Sequence, residues 1–287
     1  MTLRIPSALT AFVALALCAP ARAADPPPVG ALPDLAGPRT LGLSSTVGTA
    51  SGNEGLFVNP AAIAARRRYA AEVGGGVERR GAETVGQVIS GSVVDAITSP
   101  VAAGVAWAKV LEGVHEGNVM DMGLAGALGS GLHVGVSGKW LSLDGPRKAR
   151  AITMDAGLLW QASDWVTLGA AGYNLVPVGN EVLAPRMVAA GAAIGTDTFA
   201  HATAEWSTNL DAERARNRYA FGAEVLLARQ FPVRAGWVQD ESTDTRWWSA
   251  GAGVVQGRIG LDVGYRQAAD DSSARTIWAS LKVYFLE

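Results

Sequence analysis

From residue 67 onward this sequence alternates apolar with polar or small side chains at a period of two, and after its first two dozen residues it never places eighteen apolar residues in a row. A two-residue period sends successive side chains to opposite faces of a strand, and the missing apolar run rules out a membrane-spanning helix. In 275–286, Ile277, Ala279, Leu281, Val283 and Phe285 share one face, and Trp278, Ser280, Lys282 and Tyr284 the other. In 257–267, Ile259, Leu261, Val263 and Tyr265 oppose Arg258, Gly260, Asp262, Gly264 and Arg266. The pattern predicts fourteen strands: 67–78, 82–94, 100–110, 118–128, 131–142, 151–161, 164–174, 185–195, 198–207, 217–228, 231–239, 245–255, 257–267 and 275–286. Most are about as long as the nine to eleven residues that cross a bilayer at roughly 45°. The second is also readable as a helix over 85–97.

A soluble sandwich alternates as well, so the choice rests on other features. From the third segment onward the connections alternate in length. Those at 111–117, 143–150, 175–184, 208–216, 240–244 and 268–274 are long and polar, whereas 129–130, 162–163, 196–197, 229–230 and 256 are very short. Membrane barrels pair short turns at one rim with longer loops at the other. Aromatic residues fall near segment ends: Trp107, Trp140, Tyr173, Trp206, Tyr219, Trp237, Trp247, Trp248, Tyr265 and Trp278 beside long connections, and Tyr69, Trp160, Trp165, Phe199, Phe231, Tyr284 and Phe285 beside short turns or the terminus. Amphipathic rings gather at the two membrane interfaces. Composition agrees, with 49% hydrophobic and only 17% charged residues, against roughly 25% charged in soluble domains. Glycine is abundant, at 35 of 287 residues. The expected fold is therefore all-β, a transmembrane antiparallel barrel of about fourteen strands occupying 66–287, with membrane lipid as its necessary partner. A net charge of −2 gives no reason to expect nucleic-acid binding.

The first 23 residues read as a signal peptide. Arg4 supplies positive charge, Ala8 to Ala16 is apolar, and Ala21, Arg22 and Ala23 form a small-x-small cleavage pattern. Leu17 precedes Cys18, so the lipoprotein pattern is not met. Cys18 is the only cysteine, which leaves no disulfide and no thiolate metal site. Residues 24–65 form an N-terminal leader and lumen plug: first a proline-rich stretch, then small and polar residues ending in Asn59, Pro60 and Ala61. Pro60 suits the first turn of a short helix capped by Asn59. Either this helix belongs to a plug that only fills the lumen or it is part of a hatch that controls passage; the residues leave both open.

Charged and polar positions opposite the apolar faces are the candidate lumen-lining residues: Glu72, His133, Lys139, Asp155, Glu205, Glu224, Arg234, Asp262 and Lys282. Lysine or arginine facing lipid at mid-membrane costs about 2–4 kcal/mol. Their mixed signs favour ion pairs across the lumen over a substrate site. His115, His133 and His201 lack metal-ligand spacing, and a hydrogen bond in the lumen is the expected role of His133 and His201. The run Gly131 to Lys139 has His133 where a phosphate loop needs glycine and Trp140 where it needs Ser or Thr. Gly251, Ala252 and Gly253 with Gly257 miss the dinucleotide-binding spacing; glycine in these strands is expected for curvature or close backbone approach. No catalytic residues, metal or cofactor are expected.

The stretch from Gly37 to Leu43, followed by Gly52, Asn53, Glu54, Gly55, Leu56, Phe57, Val58, Asn59, Pro60 and Ala61, resembles the start of PorV/PorQ-type outer-membrane proteins. Through Asn59, Pro60 and Ala61 it is also similar to the FadL-type long-chain fatty-acid transporters. Both resemblances imply a fourteen-stranded barrel in the outer membrane of a Gram-negative bacterium, with the N-terminal segment folded into the lumen as a hatch. The FadL likeness implies passive transport of small apolar molecules, and the PorV likeness implies a partner role in secretion or surface attachment of proteins. A purely structural barrel is the third reading. The external loops are short for either family, and the bulky apolar hatch of a fatty-acid binder is missing, so the PorV/PorQ likeness is the nearer of the two.

Overall fold

The computed structural model describes residues 35–113, 115–145, 149–179, 184–212 and 217–286. The expected signal peptide, 1–23, and the first part of the leader lie outside them. All fourteen predicted strands are present: β1 Tyr69–Arg80, β2 Glu83–Asp95, β3 Val101–Glu112, β4 Glu116–Gly129, β5 Leu132–Asp144, β6 Ala149–Gln161, β7 Val166–Tyr173, β8 Met187–Thr196, β9 Ala200–Asn209, β10 Asn217–Leu227, β11 Phe231–Asp240, β12 Thr245–Gln256, β13 Ile259–Ala268 and β14 Ala274–Leu286. The stretch that was also readable as a helix is strand β2. Each strand pairs antiparallel with its sequence neighbours, and β1 pairs with β14, so the sheet closes into a barrel. Closure leaves no backbone edge to be satisfied by lipid.

Tyr69 lies opposite Leu286, which places the start of β1 and the end of β14 at one rim, here the terminal rim. The register then sorts every strand into an inner and an outer face. Val73, Leu124, Val136, Ile194, Phe221 and Val263 point outward, each about half exposed or more, as a lipid-facing band requires. Trp107, Trp140, Trp206, Tyr219, Trp237, Trp248 and Tyr265 form the outward girdle toward the far rim. There the Trp107 indole donates to Asn118 (3.1 Å) and the Trp206 indole to Asn217 (3.1 Å). Phe199, Phe231, Phe285, Trp160 and Trp165 crowd the terminal rim. Four aromatics depart from the expected belt. Tyr173, Trp247, Trp278 and Tyr284 share the inner face with the charged residues. Trp278 is completely buried, its ring lying over the bare inner faces of Gly74 and Gly76. Strand-end position does not reveal the side a ring faces; parity within the strand does.

The connection lengths are less regular than the sequence implies. Strands lengthen into the far rim, cutting the β3–β4 and β5–β6 connections to 113–115 and 145–148. The β1–β2 turn at that rim is only Gly81 and Ala82, and the β2–β3 connection at the terminal rim is longer, 96–100. The longest connection, 174–186, follows the shortest strand, β7. Here the β6–β7 ladder runs only from Ala156 to Gln161 on β6. Beyond it the loop folds onto β6: Leu175 N donates to the Met154 carbonyl (2.8 Å), Asn174 N to Asp155 (2.7 Å) and the Thr153 hydroxyl to the Val176 carbonyl (2.8 Å). Two far-rim loops are tied by Arg186, whose Nε donates to Asp211 at 2.7 Å. That bond holds the Asp211 carboxyl below its ordinary range.

Candidate functional site

The segment before β1 lies inside the barrel. It comprises α1 (Pro38–Leu43), a 3-10 turn (Gly52–Glu54), α2 (Gly55–Val58) and a second 3-10 helix (Pro60–Ala64). α1 packs on β10 to β14, the 3-10 turn on β1 and β2, and the last helix on β3 to β6, so the segment crosses the whole lumen. Leu41, Leu43, Leu56, Ala61, Ala62 and Ile63 are completely buried.

What lets it fit is glycine. Around the inner wall five pairs of glycines stand directly opposite each other on neighbouring strands: Gly104 with Gly123, Gly135 with Gly157, Gly169 with Gly191, Gly222 with Gly236, and Gly251 with Gly264. Every pair receives part of the segment. Leu56 meets Gly104 and Gly123, Asn59 and Pro60 meet Gly157 and Gly135, and Val47 and Gly48 meet Gly169 and Gly191. The Leu43 carbonyl sits over Gly222 and Gly236, Gly42 over Gly251, and the Pro38 carbonyl over Gly264. A methyl group on Gly236 would come within 2.6 Å of the Leu43 oxygen, and one on Gly42 within 2.9 Å of Gly251. Backbone of the segment therefore rests on wall backbone at four of the five pairs, and at Gly104 and Gly123 the side chains of Leu56 and Ile63 fill the space.

Polar groups lock the segment into it. Asn59 is fully buried and caps the last helix by accepting from Ala61 N (3.2 Å). Its amide donates to the Val47 carbonyl (3.0 Å) and, across to the wall, to the Leu158 carbonyl (2.9 Å). Pro60 occupies the first helical position and Ala61 packs in the apolar cluster with Val47 and Leu159. Glu205 on β9 accepts from Thr46 N and Val47 N, both at 3.0 Å. Arg218 braces Glu205 (3.3 Å) and donates to the Ser44 carbonyl (3.3 Å). Ser44, left-handed at φ 63°, ends α1 and meets Ser249 through their hydroxyls (2.7 Å). The Tyr173 hydroxyl donates to the Val58 carbonyl (2.5 Å), and the Asn53 amide to Ser92 (2.9 Å).

The densest charge lies beside α1. Arg39 pairs with Glu54 of its own segment (2.6 Å) and with Glu224 on β10 (3.3 Å). Glu224 also binds Arg234 on β11, and Arg234 binds Asp262 on β13. Lys282 pairs with Glu72 (3.2 Å) across β14 and β1, and Lys139 with Asp155 (2.6 Å) across β5 and β6. All nine candidate lumen residues thus stand on the inner face. Glu224, Arg234 and Asp262 join in one network through which Arg39 is held, whereas Glu72 with Lys282 and Lys139 with Asp155 form separate pairs. Glu205 acts on the plug backbone, and His133 stands apart at the terminal end of β5, opposite Ala127. The sequence reading missed Arg39, Glu54, Asn53, Arg218, Ser249 and Tyr173. Of these Glu54 carried a signal: Ser51-x-x-Glu54 has capping-box spacing, and Ser51 N does donate to Glu54 (3.0 Å).

On the far side of the plug the inner face of β3 to β5 is apolar, while β1 and β13 carry Glu78 and Arg266, 4.0 Å apart. Val110, Val119, Leu141 and Leu143 cluster with Leu35 and with Val178 and Ala184 of the β7–β8 loop. Leu35 also joins Leu41, Val88, Ala108 and Trp278.

No protein-family model matches the chain, and no curated protein matches it. Its fold does match solved structures. Against a FadL homologue of Pseudomonas aeruginosa the TM-score is 0.64 at 12% identity, covering 86% of this chain and 97% of that one. Against the toluene transporter TbuX of Ralstonia pickettii it is 0.66 at 13% identity, covering 87% and 98%. Against the toluene transporter TodX of Pseudomonas putida it is 0.59 at 12% identity, covering 89% and 98%. The likeness falls on the FadL side of the resemblance seen at Asn59, Pro60 and Ala61, not on the PorV/PorQ side that the sequence put nearer, and at this identity it is a likeness of fold: a transmembrane fourteen-stranded barrel.

Proposed function

We infer that this protein is a passive transporter of small apolar molecules in the outer membrane, with residues 35–65 as its gate, and not an enzyme. The observation that carries this reading is the division of the lumen. A socketed segment spans the barrel, and beyond it one side of the inner wall is apolar, with Val88, Val110, Val119, Leu141, Leu143 and Trp278 packed against Leu35 and Leu41 of the segment. Such a lining favours hydrocarbon-like solutes over sugars or ions, because burying an unpaired polar group costs several kcal/mol by order of magnitude. The names of the fold neighbours TbuX and TodX, toluene transporters, point to the same solute class. In this reading the far rim faces outward, the terminal rim faces the periplasm, and the inner ion pairs hold the gate in place. Uptake of radiolabelled toluene by intact cells tests it. Cells carrying the barrel are expected to take up toluene several-fold faster than cells without it, and sucrose no faster. Equal toluene uptake, or faster sucrose entry, counts against the reading.

A further inference from the structure

The far-rim ends of β1 and β14 carry a charge arrangement that the transport reading does not use. Arg79 and Arg275 are directly opposite each other across the β1–β14 ladder. Their parity is that of Val77, Val73, Ile277 and Leu281, so both stand on the outer, lipid-facing side. Like charges directly opposed on one face of a sheet repel. Among the described residues neither arginine has a carboxylate within 4.0 Å. Arg79 donates one Nη to the Ala82 carbonyl (2.8 Å), and the Nε of each arginine is shielded without an acceptor. Neighbouring arginines differ. Arg246 is paired with Asp270 (3.1 Å), and Arg266 approaches Glu78 at 4.0 Å. Asp271 of the β13–β14 connection accepts from Ser273 N (2.9 Å).

Depth and surroundings identify what completes this pair. Gln267 continues the row on β13 and Trp248 on β12, an indole at the level where aromatic girdles mark the membrane interface. Two residues below the arginines, about 7 Å along the strand, begins the apolar face of Val77 and Ile277. A ligand here meets two guanidinium forks at headgroup depth and an uninterrupted hydrocarbon-compatible wall beneath them. Planar guanidinium groups bind phosphate oxygens in bidentate fashion. We propose that Arg79 and Arg275 form a binding site for the phosphates of the phosphorylated glycolipid of the outer leaflet, whose acyl chains lie along Val77, Ile277, Val73 and Leu281. The site uses the orientation inferred above, with the far rim in the outer leaflet, and is independent of what the lumen carries.

Native mass spectrometry of the full protein in detergent, titrated with diphosphorylated lipid A, tests this. Wild-type protein is expected to retain one lipid A per barrel. The R79Q/R275Q variant, checked for a folded barrel by heat-modifiable gel mobility, is expected to bind at least tenfold more weakly. Wild-type protein with lipid A stripped of its phosphates should show a similar loss, an arm that needs no variant to fold. Millimolar inorganic phosphate is expected not to displace the lipid. Equal retention by the variant, or by dephosphorylated lipid A on the wild type, overturns the proposal. So does displacement by free phosphate, and so does phosphatidylglycerol held as tightly as lipid A, which would put this rim in the inner leaflet.

Discussion

At the scale of single residues, the glycine surplus has a specific explanation. Glycine in a strand interior weakens the strand, since it has no side chain to pack. At four of the five opposed pairs that loss is offset by allowing plug backbone to touch wall backbone, and at Gly104 and Gly123 by room for the Leu56 and Ile63 side chains. Gly222, Gly236, Gly251 and Gly264 were recognisable from the sequence as inward-facing through alternation alone. Their pairing was not, because the partner of a strand residue depends on where each turn is centred. Gly222→Val puts a branched side chain where the Leu43 carbonyl sits. Overpacking of this kind costs about 1–3 kcal/mol or more, and the plug gives way before the closed barrel does. The variant is expected to keep heat-modifiable mobility while Arg39 becomes open to trypsin; an unchanged digestion pattern would show that the socket is not needed to seat α1.

Among elements, the strands were legible and the plug was only partly so. Strand ends came within two residues because each strand announces its own faces. The plug has no such period, and its helices are too short to persist by themselves. They hold through partners supplied by the wall, such as Glu205 beneath Thr46 N and Val47 N, and Leu158 beside Asn59. Asn59 as a cap was visible in the sequence; its clamp onto β6 was not, since residues 59 and 158 meet only when the barrel closes. The network of Arg39, Glu224, Arg234 and Asp262 joins the plug to three strands. Removing one partner of a buried ion pair costs about 3–5 kcal/mol. Glu224→Gln leaves Arg39 with Glu54 alone and Arg234 with Asp262 alone, which cuts the link between plug and wall, so it is expected to loosen the plug and raise single-channel conductance in planar bilayers. Lys282→Met, which breaks only the pair with Glu72 within the wall, is expected to leave conductance near wild type. Equal effects from the two would mean the network does not act on the plug.

For the whole molecule, a barrel of fourteen strands is too wide for wall side chains alone to fill, since about eight strands leave just enough room for them. Deleting residues 37–65 is therefore expected to leave a folded barrel of greatly raised conductance. A deletion that folds yet conducts like the intact protein would remove the gate from the proposed function. Orientation has its own test, because Cys18 is the only cysteine. A membrane-impermeant thiol reagent applied to intact cells is expected to label Ala212→Cys at the far rim and not Ser163→Cys at the terminal rim; the reverse pattern would invert the topology. The sequence by itself determined strand number, strand length and the face of each side chain, because a two-residue period acts locally and the cost of charge in lipid decides which face turns inward. Only the tertiary structure decided which glycines meet, which charges pair and how Arg39 reaches Glu224 across 185 positions of sequence. Those contacts exist only after closure brings distant strands around one short segment, and no local pattern encodes the distance between them.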